Sequence, residues 1–198
     1  MSAALYGLVL AGGRSVRMGA DKAALAYGGR TQLERTMALL SAHVERAYVS
    51  VRREQAVDPV RARFAQIEDE LADVGPIAGL LAAQAHHPQA AWLVLACDLP
   101  FLDAHTLTHL LAARDANGIA TAYRSNHDGL PEPLCAIYEP RSRELLARYV
   151  AEGGHCPRKF LRSHGVRLLD EPNPHALDNI NTPQEYAAAS ARLKQETT

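Results

Sequence analysis

The sequence has few lysines, few cysteines and no long apolar run, and each shortage excludes a class of protein. No stretch of about 18 apolar residues occurs, so no membrane-spanning helix is expected. Met1 to Leu10 lacks a basic leader and runs straight into a strand-like pattern, so a signal peptide is not expected either. The three cysteines, Cys97, Cys135 and Cys156, are odd in number and show no CxxC spacing. They fit reduced thiols of a cytoplasmic protein better than a disulfide frame or a zinc site. A charge excess of either sign is also missing: 21 Lys and Arg face 22 Asp and Glu, for a net charge of −1. A dedicated nucleic-acid surface would show a basic excess, so none is expected. Repeats, low-complexity tracts and Pro/Gly-rich linkers are absent as well. Only Lys22, Lys159 and Lys194 are lysines, so the other 18 cations are arginines.

What is present is an ordinary globular composition, 47% hydrophobic and 22% charged, in 198 residues. That supports a packed core and predicts one domain across residues 1–198. Short apolar runs alternate with helical patterns. Leu5–Leu10, Ala47–Val51, Trp92–Ala96 and Ile119–Tyr123 read as strands. Thr31–His43, Pro76–His86, Ala104–Ala113, Arg141–Ala151 and Pro183–Leu193 read as helices. Thr31 with Glu34, and Thr182 with Glu185, fit capping boxes, and Pro76 and Pro183 suit first helical positions. Asp103 suits an N-cap. Arg124–Glu132, rich in turn residues, reads as a loop over the sheet edge. Alternating apolar strands and helices predict an α/β fold, a mostly parallel Rossmann-like sheet between two helical layers.

The most informative stretch is Leu8-Val9-Leu10-Ala11-Gly12-Gly13-Arg14-Ser15-Val16-Arg17-Met18-Gly19-Ala20-Asp21-Lys22. An apolar strand ends in two glycines and cations follow. Glycines let backbone N–H groups approach a phosphate, and successive N–H groups form an anion-binding concavity. Arg14, Arg17 and Lys22 supply charge for a polyphosphate, and Ser15 can donate to a phosphate oxygen. Neither the P-loop pattern GxxxxGK[ST] nor the dinucleotide fingerprint GxGxxG is present. The bland alternative is a Gly-rich turn with solvated arginines. Asp98 ends the apolar run at the carboxyl end of a strand, where open parallel sheets bind ligands. A carboxylate beside a phosphate loop suits Mg²⁺. Glu68, Asp69 and Glu70 read as a solvated acidic face, whereas Asp73 stands before Gly75-Pro76 at a loop–helix junction. No Ser/His/Asp elbow occurs, so a hydrolase triad is not expected.

Leu10–Lys22, LAGGRSVRMGADK, resembles the N-terminal signature LAGGxSxRMGxDK of nucleotidyltransferases of the molybdenum cofactor guanylyltransferase type. Four further segments follow in the family's order. Asp73–Gly79 resembles DxGPLAG, Cys97–Leu102 resembles CDxPxL, Glu132–Tyr138 resembles a QPLFALY strand, and Asn179–Glu185 resembles NxNTPEE. The resemblance implies the nucleotide-diphospho-sugar transferase type of three-layer fold. It implies transfer of GMP from GTP to the terminal phosphate of molybdenum-molybdopterin, releasing pyrophosphate, with Mg²⁺ on Asp98. The alternatives are CTP with molybdopterin, or an NTP with a sugar phosphate. Catalytic roles fall to Arg17, Lys22 and Asp98. Nucleotide contacts fall to Leu10, Ala11, Gly12, Gly13, Ser15, Lys22, Ser50, Asp73, Gly79 and Asp98, and substrate contacts to Asn179 and Asn181. Molybdoenzyme apo-proteins or cofactor-insertion proteins are the partners it points to.

Three positions depart from the family or inform it. Ser50 stands where the family has an asparagine that helps hold guanine. Gly12 matches the GTP-using enzymes, since those using CTP tend to have alanine there, which would crowd a purine. Glu132 stands where Gln or His is usual, and a carboxylate repels a phosphorylated pterin, so Glu132 has no assigned role. Arg158 and Lys159 read as a positive lip for an anionic substrate. His155 and Cys156 are too few and too close in sequence to chelate a metal.

Overall fold

The structure, a computed structural model, describes residues 2–13, 21–69, 71 and 74–195. Among them the chain order is β1 (Leu5–Leu10), β2 (Ala26–Tyr27), β3 (Arg30–Thr31), α1 (Gln32–Ser41), β4 (Arg46–Val51), β5 (Gln66–Glu68), α2 (Pro76–His86), β6 (Ala91–Ala96), α3 (Ala104–Ala112), β7 (Ala120–Arg124), β8 (Pro131–Tyr138), α4 (Ser142–Ala151), α5 (Pro157–Ser163), β9 (Arg167–Asp170) and α6 (Pro183–Gln195). Seven strands form one sheet in the order β5-β4-β1-β6-β8-β7-β9, and β2 and β3 make a separate hairpin. β1 pairs in parallel with β4 and β6, and β4 with β5. β8 alone runs against its neighbours β6 and β7, and β9 returns to the common direction beside β7.

The central strand β6 is apolar and buried at every position because both faces are covered. Along β6, Trp92 and Val94 point into one cluster and Leu93 and Leu95 into the other. The first layer packs Ile77 and Leu80 of α2, Leu146 of α4 and Phe160 of α5 against Leu8, Trp92 and Val94. The second packs Leu33, Met37 and Leu40 of α1 and Leu107 and Leu110 of α3 against Val9, Leu93 and Leu95. This is the expected three-layer α/β/α arrangement. Leu8, Leu93 and Leu95 are fully buried, so truncating any one to alanine costs about 2–5 kcal/mol. A third, small cluster of Tyr27, Ile180 and Ala189 ties α6 to the β2–β3 hairpin, helped by a hydrogen bond from the Tyr186 hydroxyl to the Ala26 carbonyl (2.7 Å).

The caps behave as their residue types dictate. Thr31 Oγ1 accepts from the Glu34 N–H (3.2 Å) while Glu34 Oε2 accepts from the Thr31 N–H (2.8 Å), so Thr31 is the N-cap and α1 begins one residue later. Asp103 Oδ1 accepts from the Thr106 N–H (2.7 Å) and caps α3. Thr182 and Glu185 repeat the box at α6. The anticipated strands and helices recur within one to two residues, with four differences, the first being helix α5 (Pro157–Ser163), which the sequence pattern does not mark. The loop is shorter than Arg124–Glu132, spanning 125–130, because β7 runs through Arg124 and β8 starts at Pro131. The short β5 and β9 give too little periodicity to read. The β2–β3 hairpin has only two residues a side. Cys97, Cys135 and Cys156 are all free, and no helix among the described residues is long and apolar enough to cross a membrane.

Candidate active site at the strand ends

From β1 the sheet extends through β4 and β5 on one side. From β6 it extends through β8, β7 and β9 on the other. The boundary between β1 and β6 is therefore the topological switch point, and its crevice lies beyond Leu10, Val51, Glu68 and Ala96. Leu10, Ala11, Gly12 and Gly13 stand at this rim. Arg14, Ser15, Arg17 and Asp73, named from the sequence, lie outside the described residues.

Three distant segments meet at one ammonium. Lys22 Nζ donates to Asp98 Oδ2 at 2.8 Å and to Asn181 Oδ1 at 2.7 Å. Asp98 sits two residues past β6. Its carbonyl accepts from the Ile180 N–H at 3.0 Å, which docks the C-terminal segment on the rim. Asn181 is then held from two sides. Its Nδ2 donates to Asn179 Oδ1 (3.1 Å), and its backbone N–H donates to Glu185 Oε2 (2.6 Å). The amide oxygen is thereby aimed at Lys22. Lys22 and Asp98 are both about four-fifths buried, so their attraction is screened less than that of a surface pair.

The donor set here fits a hard cation. One carboxylate and one amide oxygen converge on a single positive group, and magnesium takes such oxygens. Among the described residues no group of three or more His, Cys, Asp or Glu side chains is arranged to hold a metal ion. A bound Mg²⁺ would therefore draw its remaining ligands from phosphate oxygens and water. Cys97, next in sequence, is no thiolate ligand: burial, then the Asp98 charge, pushes its thiol up to about 12.

A second polar crevice lies on the α2 side of the same rim. Ser50 Oγ donates to Asp69 Oδ1 at 2.6 Å. A Cβ at Gly79 would come within 2.3 Å of Ser50 Oγ and 2.8 Å of Leu10 Cδ2, so only glycine lets α2 approach β4 and β1 this closely. A Cβ at Gly12 would lie 3.1 Å from Asp69 Oδ2. Alanine at Gly12 would thus crowd the Asp69 carboxylate. Burial raises the Asp69 carboxyl above its ordinary value, against the Ser50 hydrogen bond and the Arg52 charge, which lower it.

Sequence pattern groups Asp69 with a solvated acidic face, whereas the structure turns its carboxylate onto the Ser50 hydroxyl. The readable signal is period two: Asp69 lies two residues after the buried Ile67 and shares its face. Arg61 is marked by no local pattern. It is 1% exposed, yet it donates to the Ala11 carbonyl (Nε 3.2 Å, Nη2 2.7 Å) and to both oxygens of Asp21 (2.6 and 2.9 Å). The Asp21 carboxyl is pushed up by burial, but the Arg61 and Ala23 hydrogen bonds outweigh this and hold it below its usual value.

The β8–β7–β9 half of the rim corrects one reading. Arg158 is no open lip. Its guanidinium bonds Asp128 Oδ2 and Glu132 Oε1, both at 2.8 Å, so its charge is spent locally and Glu132 acquires a structural partner. His127 and His175 both contact Asp178, at 3.1 and 2.9 Å, across the 125–130 hairpin.

An open α/β sheet carrying a Gly-rich strand end, a lysine and a carboxylate at its switch point defines a class of enzyme that moves nucleotidyl groups. Comparisons agree. Residues 7–168 match the MobA-like NTP transferase domain. The chain is 32% identical to a probable molybdenum cofactor guanylyltransferase of Trichormus variabilis, covering 92% of this chain and 89% of that protein. It is 35% identical to a molybdenum cofactor biosynthesis bifunctional protein of Synechocystis, over 92% of this chain but only 52% of that protein. The crystal structure of molybdopterin-guanine dinucleotide biosynthesis protein A from Archaeoglobus fulgidus superposes with a TM-score of 0.80 at 25% identity, covering 96% of this chain and 99% of that one. The chain belongs to the MobA-like NTP transferase domain family, and its fold is that of the nucleotide-diphospho-sugar transferases.

Proposed function

We propose that the protein transfers GMP from GTP to the terminal phosphate of molybdenum-molybdopterin. The products are the guanine dinucleotide form of the cofactor and pyrophosphate. The observation that carries the reading is the pair of polar sites on one rim, Lys22–Asp98–Asn181 at the switch point and Ser50–Asp69 beside it. The first suits a triphosphate. The second suits guanine, whose ring N–H and exocyclic amine are adjacent donors that one carboxylate accepts together. Ser50, in place of the family's asparagine, supports this by orienting Asp69 through its hydroxyl. Asn179 and Asn181 offer amides on the acceptor's side of Lys22.

The chemistry needs positioning and charge neutralisation more than a protein nucleophile. A phosphate monoester is already ionised at neutral pH, so its oxygen attacks the α-phosphorus without a strong base. As the new O–P bond forms, the bond to the β-phosphate oxygen breaks and pyrophosphate leaves. Lys22, with Arg17 from the Gly-rich segment, stabilises the charge that develops on the leaving group. Asp98 and Asn181 would hold Mg²⁺, which when bound neutralises phosphate charge. The product would pass to molybdoenzyme apo-proteins or cofactor-insertion proteins, in the cytoplasm.

The test is pyrophosphate release with GTP, CTP, ATP or UTP, each with and without the molybdenum cofactor. Release only with GTP plus cofactor is expected. Equal release with CTP would overturn the base assignment, and release with a sugar phosphate in place of the cofactor would overturn the acceptor.

A further inference from the structure

Arg61 is nearly inaccessible and lies outside every motif. Four of its five N–H donors nonetheless make hydrogen bonds within the protein. Nε and one Nη2 hydrogen reach the Ala11 carbonyl, and the other Nη2 hydrogen reaches Asp21 Oδ1. Nη1 serves Asp21 Oδ2 and stands 3.2 Å from Asp58 Oδ1. Asp58 in turn fixes the arginine's own backbone, since its Oδ1 accepts from the N–H groups of Val60 (3.1 Å) and Arg61 (3.0 Å). The planar fork therefore has one fixed position, which a lysine's point charge could not reproduce.

The two groups it holds are the flanks of the Gly-rich segment. Ala11 follows the last residue of β1, and Asp21 precedes Lys22, with Gly12 and the cations Arg14 and Arg17 between them in sequence. Asp21 does a second job: its Oδ1 accepts from the Ala23 N–H (3.0 Å) and caps the short 3-10 turn Lys22–Ala24. One guanidinium thus sets where the segment leaves the sheet, where it returns, and how the turn presents Lys22 to Asp98.

We propose that Arg61 is a positioning residue of the nucleotide site, acting through Ala11 and Asp21 to hold the end of β1 and Lys22 in their binding geometry. This rests on the nucleotidyl-transfer reading of the site but not on which base or acceptor is used. A residue that fixes the phosphate clamp should affect triphosphate binding far more than nucleoside binding, because Ser50 and Asp69 are carried by β4 and the residue after β5 and are fixed by their own hydrogen bond.

The experiment compares wild type with Arg61→Lys for the affinity of GTP and of guanosine, alongside kcat, KM and a thermal melt. Expected for Arg61→Lys is guanosine affinity within about 2-fold of wild type and GTP affinity reduced about 10- to 100-fold, with kcat falling as well, since a clamp displaced by about 1 Å can cost that much. A folded variant with unchanged GTP affinity, or with GTP and guanosine affinities falling in parallel, overturns the proposal. Should Arg61→Lys not fold, Asp21→Asn is read in the same assays. It keeps the cap oxygen but removes the charge, and a smaller selective loss of GTP affinity, about 3-fold, is expected. No selective loss overturns the proposal. The wild-type arms judge the functional reading separately. Preference for another nucleotide revises the base, and the Arg61 comparison is then made with that nucleotide and its nucleoside. Wild type that binds no triphosphate more tightly than its nucleoside sinks both.

Discussion

Each end of β1 is held by an arginine, fully buried at the carboxyl end and partly buried at the amino end. At the carboxyl end, Arg61 bonds the Ala11 carbonyl and Asp21. At the amino end, Arg114 bonds the Ala3 carbonyl (3.1 Å) and both oxygens of Glu139 (2.6 and 2.9 Å). The chemistry is the same: a guanidinium fork, a carboxylate and a backbone oxygen. The surroundings differ. Glu139 is 1% exposed, and its backbone continues the network, with its N–H donating to Ile119 O and its carbonyl accepting from the Ser142 N–H and hydroxyl. That clamp joins the start of β7 to the start of α4 and, through the Ser142 hydroxyl, to Gln84 of α2 (2.7 Å). The Arg61 clamp has partly exposed carboxylates, 38% for Asp21 and 32% for Asp58, and leads to Lys22. A buried ion pair by itself therefore says little about its role, and the segment it immobilises says more.

The comparison predicts that substitutions divide by end: those at the rim change chemistry, those at the base change stability. The largest effect is expected for Asp98→Asn. It keeps the Lys22 contact possible through the amide oxygen but removes the charge that a cation needs. Turnover should fall about 10²- to 10³-fold, with a melting temperature close to wild type. Near-normal pyrophosphate release would show that Asp98 carries no essential charge. At the other end, Glu139→Ala strands the Arg114 charge in a buried site. A loss of about 3–5 kcal/mol is expected, with kcat of the surviving folded fraction unchanged. Urea unfolding measures the first and active-site-titrated turnover the second. A variant that melts normally but loses activity would abolish the division between the two ends.

The same division explains what could be read from the sequence. The layers were legible because β1 and β6 are apolar throughout and the helix starts carry Thr31, Pro76, Asp103 and Thr182, residues whose caps have local chemistry. Lys22, Asp98 and Asn181 were legible one by one through the motifs around them, although 159 residues separate Lys22 from Asn181 and nothing in the spacing shows that they touch. Asp69 was lost because β5 is three residues long and its face cannot be judged without knowing that Ile67 is buried. Arg61 and Arg114 were illegible for a physical reason. A buried arginine differs from a solvated one only in its distant partners, Ala11 and Asp21 or Ala3 and Glu139, and single-sequence patterns do not report these. Arg158 misled for the same reason: two carboxylates 26 and 30 residues away neutralise it.

The smallest expected effect sharpens the comparison, because it has the opposite sign to Glu139→Ala. Asp69 carries a burial cost in the folded state, seen in a carboxyl held above its ordinary value by desolvation despite the Ser50 and Arg52 contacts. The folded protein then binds this proton more tightly than the unfolded chain does. The associated stability is complete below the unfolded value and is lost as pH rises through the raised folded value. At neutral pH the ionised group is therefore a net cost that Asp69→Asn removes, while the amide oxygen can still accept from Ser50. The variant should melt a few degrees above wild type at pH 7 (roughly 2–4 °C per kcal/mol for a chain of this size). The advantage should shrink as pH is lowered towards the ordinary carboxylate value. Asp21, held below its usual value, titrates in the opposite sense: its stability is present above the unfolded value and lost as pH falls through the folded one. Measuring the variant against wild type at each pH cancels that contribution. The same substitution should weaken GTP binding, since an amide offers one acceptor where guanine's adjacent donors need two. Melts of both proteins across pH 4–8, with GTP titration at pH 7, decide the matter. An Asp69→Asn protein that is less stable at pH 7, or whose advantage does not decline with acid, would show that the carboxylate supports the fold, and the rim would then resemble the base.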